Sequence, residues 1–234
     1  MMKNPWENLP KLNNFYVLEE DAPFINQFNE SLSQNTKELF KIHTEIMPAP
    51  FMGDILNSKI VILTLNPGFD KTENKNGFYQ EYKENWEKQI VHQFPDPKYP
   101  LFCFEKKYVT FSNYWQIKLN PLIQVSSVEK VAKNISIIQF FPYHSEKFRN
   151  IPKKISKDYL ISQQYNFHLV RKAIERDAII VIQRGERLWK EAIPELEKLD
   201  NKKNIYKTNS YLNPIMSENN LPDAFEKIKH ILNT

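Results

Sequence analysis

Short runs of consecutive apolar residues, each closed by a polar loop, give the chain its rhythm. Residues 59–65 (KIVILTL), 135–141 (ISIIQFF) and 178–183 (AIIVIQ) are nearly continuous in β-branched, leucine and aromatic side chains. Residues 204–208 (NIYKT) form a weaker fourth run. Unbroken apolar character marks parallel strands covered on both faces, because a strand with one wet face alternates instead. Between and after the later runs the spacing becomes helical. Residues 166–177 carry Phe167, Val170, Ala173 and Ile174 on one side, and 186–199 carry Leu188, Trp189, Ala192, Leu196 and Leu199. Residues 222–232 do the same with Ala224, Phe225, Ile228, Ile231 and Leu232. This alternation predicts an α/β fold in a single domain. Its form is a three-layer α/β/α sandwich with a central four-stranded parallel sheet and right-handed crossovers.

One stretch breaks the rhythm. Residues 71–123 are crowded with aromatics and charges, among them Trp86, Phe102, Phe104, Tyr114 and Trp115. They form an insertion beyond the carboxyl end of the first strand, the end at which open α/β sheets bind ligands. Such an insertion is placed to act as a lid or substrate-contacting element, or to fold into a satellite core of its own.

Each strong strand leads into a loop of unusual composition. Asn66-Pro67-Gly68-Phe69-Asp70 follows the first, Pro142-Tyr143-His144-Ser145 the second, and Arg184-Gly185-Glu186 the third. The fourth leads to residues 209–220, which include Asn213, Met216, Ser217 and Asn219. Parallel strands would carry these loops to one edge of the sheet, where they can converge on a pocket. Singly each has a plain structural reading: Asn-Pro-Gly is an ordinary turn, and a lone histidine is often a satisfied core residue.

Composition narrows the functional classes. A 41% hydrophobic content describes a folded chain, and no apolar run is long enough for a membrane span. The amino-terminal residues lack an apolar signal core, so a cytoplasmic protein is expected. One cysteine, Cys103, excludes an internal disulfide and any four-cysteine metal or iron–sulfur site within the chain. The net charge of +4 is mild; Lys153, Lys154 and Lys157, and Lys202-Lys203, are the local clusters that could meet phosphates.

Residues 49–54 (APFMGD) followed by 60–68 (IVILTLNPG) resemble the first motif of the uracil-DNA glycosylase superfamily, in its Asn-Pro-Gly branches. Asn213-Pro214-Ile215-Met216-Ser217 is similar to the second motif, though it lacks the usual His-Pro-Ser. Phe141-Pro142-Tyr143-His144-Ser145 is similar to a segment of uncharacterised members. Its Tyr143-His144 pair also echoes the Asp-Pro-Tyr-His of classical uracil enzymes, but follows the wrong strand to be motif one. The resemblance runs from Pro48 to the carboxyl terminus.

The resemblance implies a monofunctional DNA glycosylase that flips a base from DNA and hydrolyses its N-glycosidic bond, with no cofactor and no metal. It implies that Asn66 positions the water; a neutral amide orients water well but is a poor base. Asp70, four residues on, is a candidate for the missing carboxylate. Asn213 stands where the family has a histidine, and His144 is a candidate source of that imidazole. Met216 or Ile215 is expected as the apolar wedge, and Phe69 or Trp115 as the ring that stacks on the base. Pro67, Tyr143, Ser145, Arg184, Ser217 and Asn219 complete the expected substrate and DNA contacts. Gly68 takes the position of the tyrosine that excludes 5-substituted pyrimidines, so a modified pyrimidine, such as a hydroxymethylated or glucosylated cytosine of phage DNA, becomes the expected substrate beside uracil. The expected setting is antiviral defence, with the protein a monomer. A non-catalytic binder of modified DNA and a hydrolase of nucleosides or other small molecules are the alternatives.

Overall fold

The computed structural model describes residues 2–10, 15–69, 78–94, 96–106, 108, 113–198 and 204–234. The apolar runs become strands: β2 (Ile60–Thr64), β3 (Ile135–Gln139) and β4 (Ile179–Ile182) are buried at every position. β5 (Ile205–Lys207) goes from buried Ile205 to exposed Lys207, as an edge strand should. Among the described residues the sheet has five strands rather than the expected four, in the order β1-β3-β2-β4-β5. The added strand, β1 (Phe51–Met52), pairs antiparallel with β3 through Phe51↔Ile138 and Met52↔Ile137. β2, β4 and β5 run parallel, with Ile62 opposite Val181 and Val181 opposite Tyr206.

Gly53 closes β1 with φ +88°, and a Cβ there would lie 2.7 Å from the Ile135 carbonyl oxygen and 2.8 Å from Ser136 Oγ. Only glycine meets both the backbone angle and the close approach. The expected helix at 186–199 is broken in two, Glu186–Ala192 and Glu195–Lys198. Pro194 lacks an amide hydrogen and disfavours helical geometry at Ile193, so the chain cannot continue straight. The helix expected at 166–177 begins earlier, as Ile161–Glu175. Its first turn is polar in sequence yet buried: Gln163 Nε2 donates to the Phe140 carbonyl at 3.2 Å, and Gln163 Oε1 accepts from the Leu160 amide. The last helix is Phe225–Asn233. In the region of the insertion the described elements are helices Phe78–Gln89 and Asn113–Gln124 and a short turn of helix at Phe102–Phe104. Phe102, Cys103, Phe104, Tyr108 and Trp115 are buried, so much of this aromatic content is core. No helix among the described residues is long and apolar enough to cross a membrane.

The chain resolves into two compact units. The first comprises Met1–Pro50, Leu65–Gln93 and Gln139–His168; the second comprises Phe51–Thr64, Phe94–Ile138 and Leu169–Thr234. The second unit carries the sheet. In the first, Tyr143 is fully buried against Trp6 and Phe141. Its hydroxyl donates to Asp21 Oδ2 at 2.8 Å and accepts from the Leu18 amide. Burial raises the Tyr143 hydroxyl well above its ordinary pKa and also raises Asp21, so the phenol stays neutral. Tyr143 is therefore a core anchor and not the substrate contact expected from its motif.

Candidate active site

In the first unit, the backbone following β2 is held beside the backbone following β3. The Phe141 amide donates to the Leu65 carbonyl at 2.7 Å, and Gly68 pairs in parallel with Ser145. On its other side the segment after β3 takes up residue 43, as His43 pairs antiparallel with His144 and donates its amide to the His144 carbonyl at 2.9 Å. Three extended segments thus lie side by side and fix the side chains between them.

Asn66 is half-buried, and its amide nitrogen has three acceptors: Ser145 Oγ at 2.9 Å, the Pro67 carbonyl at 3.0 Å and the Ser145 carbonyl at 3.3 Å. Two of these are carbonyl oxygens, which cannot donate. The carboxamide is therefore locked in one orientation, with nitrogen inward and Oδ1 left to accept. Ser145 Oγ passes its own hydrogen to the Lys147 carbonyl at 3.0 Å, which leaves its lone pairs to Asn66. Ser145 thus holds Asn66 rather than meeting a substrate directly. Pro67 is buried under the same turn, whereas Gly68 is exposed, and among the described residues other than its chain neighbours no atom lies within 4 Å of where a Cβ would stand.

His144 is buried, with Nδ1 2.7 Å from the Gly68 carbonyl and Nε2 3.1 Å from the Met47 carbonyl. Burial drives its pKa down to about 4, against the two carbonyls that favour the charged ring. At neutral pH the ring is uncharged and can donate only once, to the nearer Gly68 oxygen. Trp86 packs edge-on against it at 6.2 Å between centroids. With both nitrogens facing main-chain carbonyls, His144 braces the loop and does not offer the imidazole expected of it.

A different histidine does. His43 is buried, its Nδ1 lies 2.6 Å from Glu45 Oε1, and its Nε2 is buried without a hydrogen-bond partner among the described residues. Its ring lies flat on Phe69, at 3.5 Å between centroids and 9° between planes. Burial would raise the Glu45 carboxyl, but the hydrogen bond from His43, a backbone amide and the charges of His43 and Lys41 outweigh it and bring it down to about 2. Glu45 is thus ionised, and a carboxylate at this distance fixes the imidazole hydrogen on Nδ1. Neither residue was expected from the motifs. The segment around them carries neither helical nor strand patterning, so the sequence held no signal that singled them out.

In the second unit, the loops after β4 and β5 carry the remaining candidates. Asn213 is exposed, and its Oδ1 accepts from Lys118 Nζ at 2.9 Å. Lys118 lies over the Tyr114 ring at 5.4 Å; burial and then the charge of Arg184 lower its pKa. Arg184 is half-buried, with Nε unpartnered among the described residues, and its charge acts on Lys118, so Lys118, Arg184 and Asn213 form a polar group with two cations. Met216 is wholly buried, its amide bonded to the Lys118 carbonyl, and cannot be the wedge. Ile215 is half-buried. The exposed apolar tip is instead Tyr211 and Leu212, at 68% and 76% exposure. Trp115 is buried, edge-on to Tyr114, and is corrected from base-stacking ring to core. Ser217 and Asn219 act through their main chains: the Ser217 carbonyl accepts from Asn220 and Leu221, and the Asn219 carbonyl from Asn209 Nδ2. Asp70 lies outside the described residues.

The sequence candidates thus fall into two groups. Asn66, Pro67, Gly68, Phe69, His144 and Ser145 are brought together in the first unit, and Arg184 and Asn213 belong to the second. Among the described residues no group of three or more His, Cys, Asp or Glu could hold a metal ion. No protein-family model, no curated protein and no solved structure matches the chain.

Proposed function

We propose that the chain is a monofunctional, metal-independent DNA glycosylase that hydrolyses the N-glycosidic bond of a flipped pyrimidine, uracil or a 5-modified cytosine, as a cytoplasmic monomer in defence against phage. The observation that carries this reading is the locked carboxamide of Asn66, which adds a physical role to the resemblance of residues 60–68 to a glycosylase motif. With its hydrogens committed to Ser145 and Pro67, Asn66 Oδ1 can accept a hydrogen from a water and aim that water's lone pair at the anomeric carbon. The amide dipole also favours the positive charge that develops on the sugar as the base departs. That no described residue beyond its chain neighbours crowds Gly68 supports a base carrying a 5-substituent. Tyr211 and Leu212 replace Met216 as the proposed wedge into the base stack, with Lys118 and Arg184 as phosphate contacts.

A non-catalytic reader of modified DNA is the second reading, favoured by the neutral amides Asn66 and Asn213 at both motif positions. Purified protein incubated with DNA containing uracil, 5-hydroxymethylcytosine or glucosylated 5-hydroxymethylcytosine, followed by an assay for abasic sites, separates the two. Abasic sites support the enzyme; tight binding to modified DNA without them supports the reader. Release of uracil alone counts against the defensive role.

A further inference from the structure

A water-orienting amide leaves the proton of the attacking water without an acceptor. We propose that His43, positioned by Glu45, is that acceptor and hence a catalytic residue of this site. The inference rests on the glycosylase reading and names an acceptor among the described residues, since Asp70, the carboxylate expected from the sequence, lies outside them.

Three observations converge on His43. First, its Nε2 is buried with no hydrogen-bond partner among the described residues, while Nδ1 is engaged at 2.6 Å by a carboxylate. An unsatisfied buried nitrogen is destabilising, and a folded chain that keeps one calls for an explanation. Second, the Glu45 carboxylate holds the imidazole hydrogen on Nδ1, so the lone pair resides on Nε2. A carboxylate on one ring nitrogen and a free lone pair on the other is the arrangement of an oriented general base. Third, His43 is tied to the Asn66 loop twice. Its ring stacks on Phe69, three residues from Asn66, and its backbone pairs with His144, whose neighbour Ser145 anchors Asn66.

The step balances without any further reactant. The water oxygen forms a bond to C1′ of the sugar, and the C1′–N1 bond breaks with its electron pair passing to the base. The water proton goes to His43 Nε2. The imidazolium then returns that proton to the departing base anion, so the products are an abasic sugar, a neutral base and a neutral His43. Glu45 stays ionised throughout and is a positioning residue. Among the described residues the charged and titratable groups around His43 are Glu45 at Nδ1, Lys41 at 3.9 Å from Glu45, and His144, which burial keeps neutral.

The test uses the full chain on the DNA base panel, with single-turnover rates measured across pH 5 to 9 for wild type, H43Q, E45Q and E45D. Folding is checked by thermal melts. H43Q should slow abasic-site formation by about a hundredfold to ten-thousandfold while DNA binding stays unchanged, and should flatten the pH–rate profile. E45Q should lower the rate, and E45D, which keeps a carboxylate beside Nδ1, should restore part of it. Wild-type cleavage with H43Q equally fast, or E45Q as fast as wild type, overturns the assignment alone. Wild-type protein that yields no abasic site from any substrate overturns the glycosylase reading, and the role of His43 with it.

Discussion

Asn66 and Ser145, 79 positions apart in sequence, are joined by a 2.9 Å hydrogen bond from the carboxamide to the hydroxyl. This bond converts a turn sequence into a directed acceptor. Ser145→Ala removes the strongest of the three anchors and lets the carboxamide rotate. The expected result is a loss of about tenfold to a hundredfold in single-turnover rate at unchanged DNA affinity, because misplacement acts on the reacting geometry. Asn66→Ala should lose more. Equal rates for Ser145→Ala and wild type would remove the positioning role of Ser145.

His144 makes stability depend on pH. The unfolded imidazole takes up a proton below about 6.5, whereas the folded one does so only near 4. Protonation across that interval therefore favours the unfolded chain. The contribution is fully present above pH 6.5 and is lost as the pH falls towards 4, a span worth roughly 3 kcal/mol. Melting curves between pH 4 and pH 7 should show a steeper acid-side loss for wild type than for His144→Gln. Parallel curves would show that the buried ring is not the source.

Gly53 tests the fold independently of function. Its φ of +88° and the 2.7 Å approach to the Ile135 carbonyl oxygen leave no room for a methyl group. Gly53→Ala should destabilise the protein by about 2 kcal/mol in chemical denaturation, from the left-handed backbone angle and the clash together. A change below about 0.5 kcal/mol would show that β1 and β3 separate more easily than their register implies.

Gly68 behaves in the opposite way, since among the described residues beyond its chain neighbours a Cβ there meets nothing within 4 Å. Gly68→Tyr should leave the melting temperature nearly unchanged while blocking 5-substituted pyrimidines and sparing uracil. Retained release of glucosylated cytosine by this variant would mean that the base does not pass position 68.

The strands were the most legible part of the fold. β2, β3 and β4 are buried at every position, and continuous apolar runs report that condition directly. β1 escaped because two residues between Pro50 and Gly53 carry no periodicity. The first turn of Ile161–Glu175 escaped because its buried positions include Ser162 and Gln163, whose burial depends on partners distant in sequence. In the site, the Asn66 loop was visible from its place after a strand. The role of Ser145 required the neighbouring chain, and Met216 was misread because apolar character does not separate a buried anchor from an exposed tip. His43 and Glu45 lie in a segment with neither helical nor strand patterning, so only tertiary structure brings them to Phe69.

Tyr211 and Leu212 form the exposed apolar tip, and Lys118 lies next to Asn213 on the same unit. Leu212→Ala should weaken binding to duplex DNA more than to single strands, because only a stacked duplex needs a wedge. Lys118→Ala should weaken all DNA binding and reduce the slope of log affinity against log salt by about 1. Unchanged affinity and slope for both variants would place the DNA contact elsewhere.

The most direct measurement is abasic-site formation by wild-type protein on the three DNA substrates carrying uracil, 5-hydroxymethylcytosine and glucosylated 5-hydroxymethylcytosine. Abasic sites in at least one modified-cytosine DNA, lost in Asn66→Ala, are the predicted result. No abasic site in any of the three, from protein that melts cooperatively, would contradict the assignment of base excision to this chain.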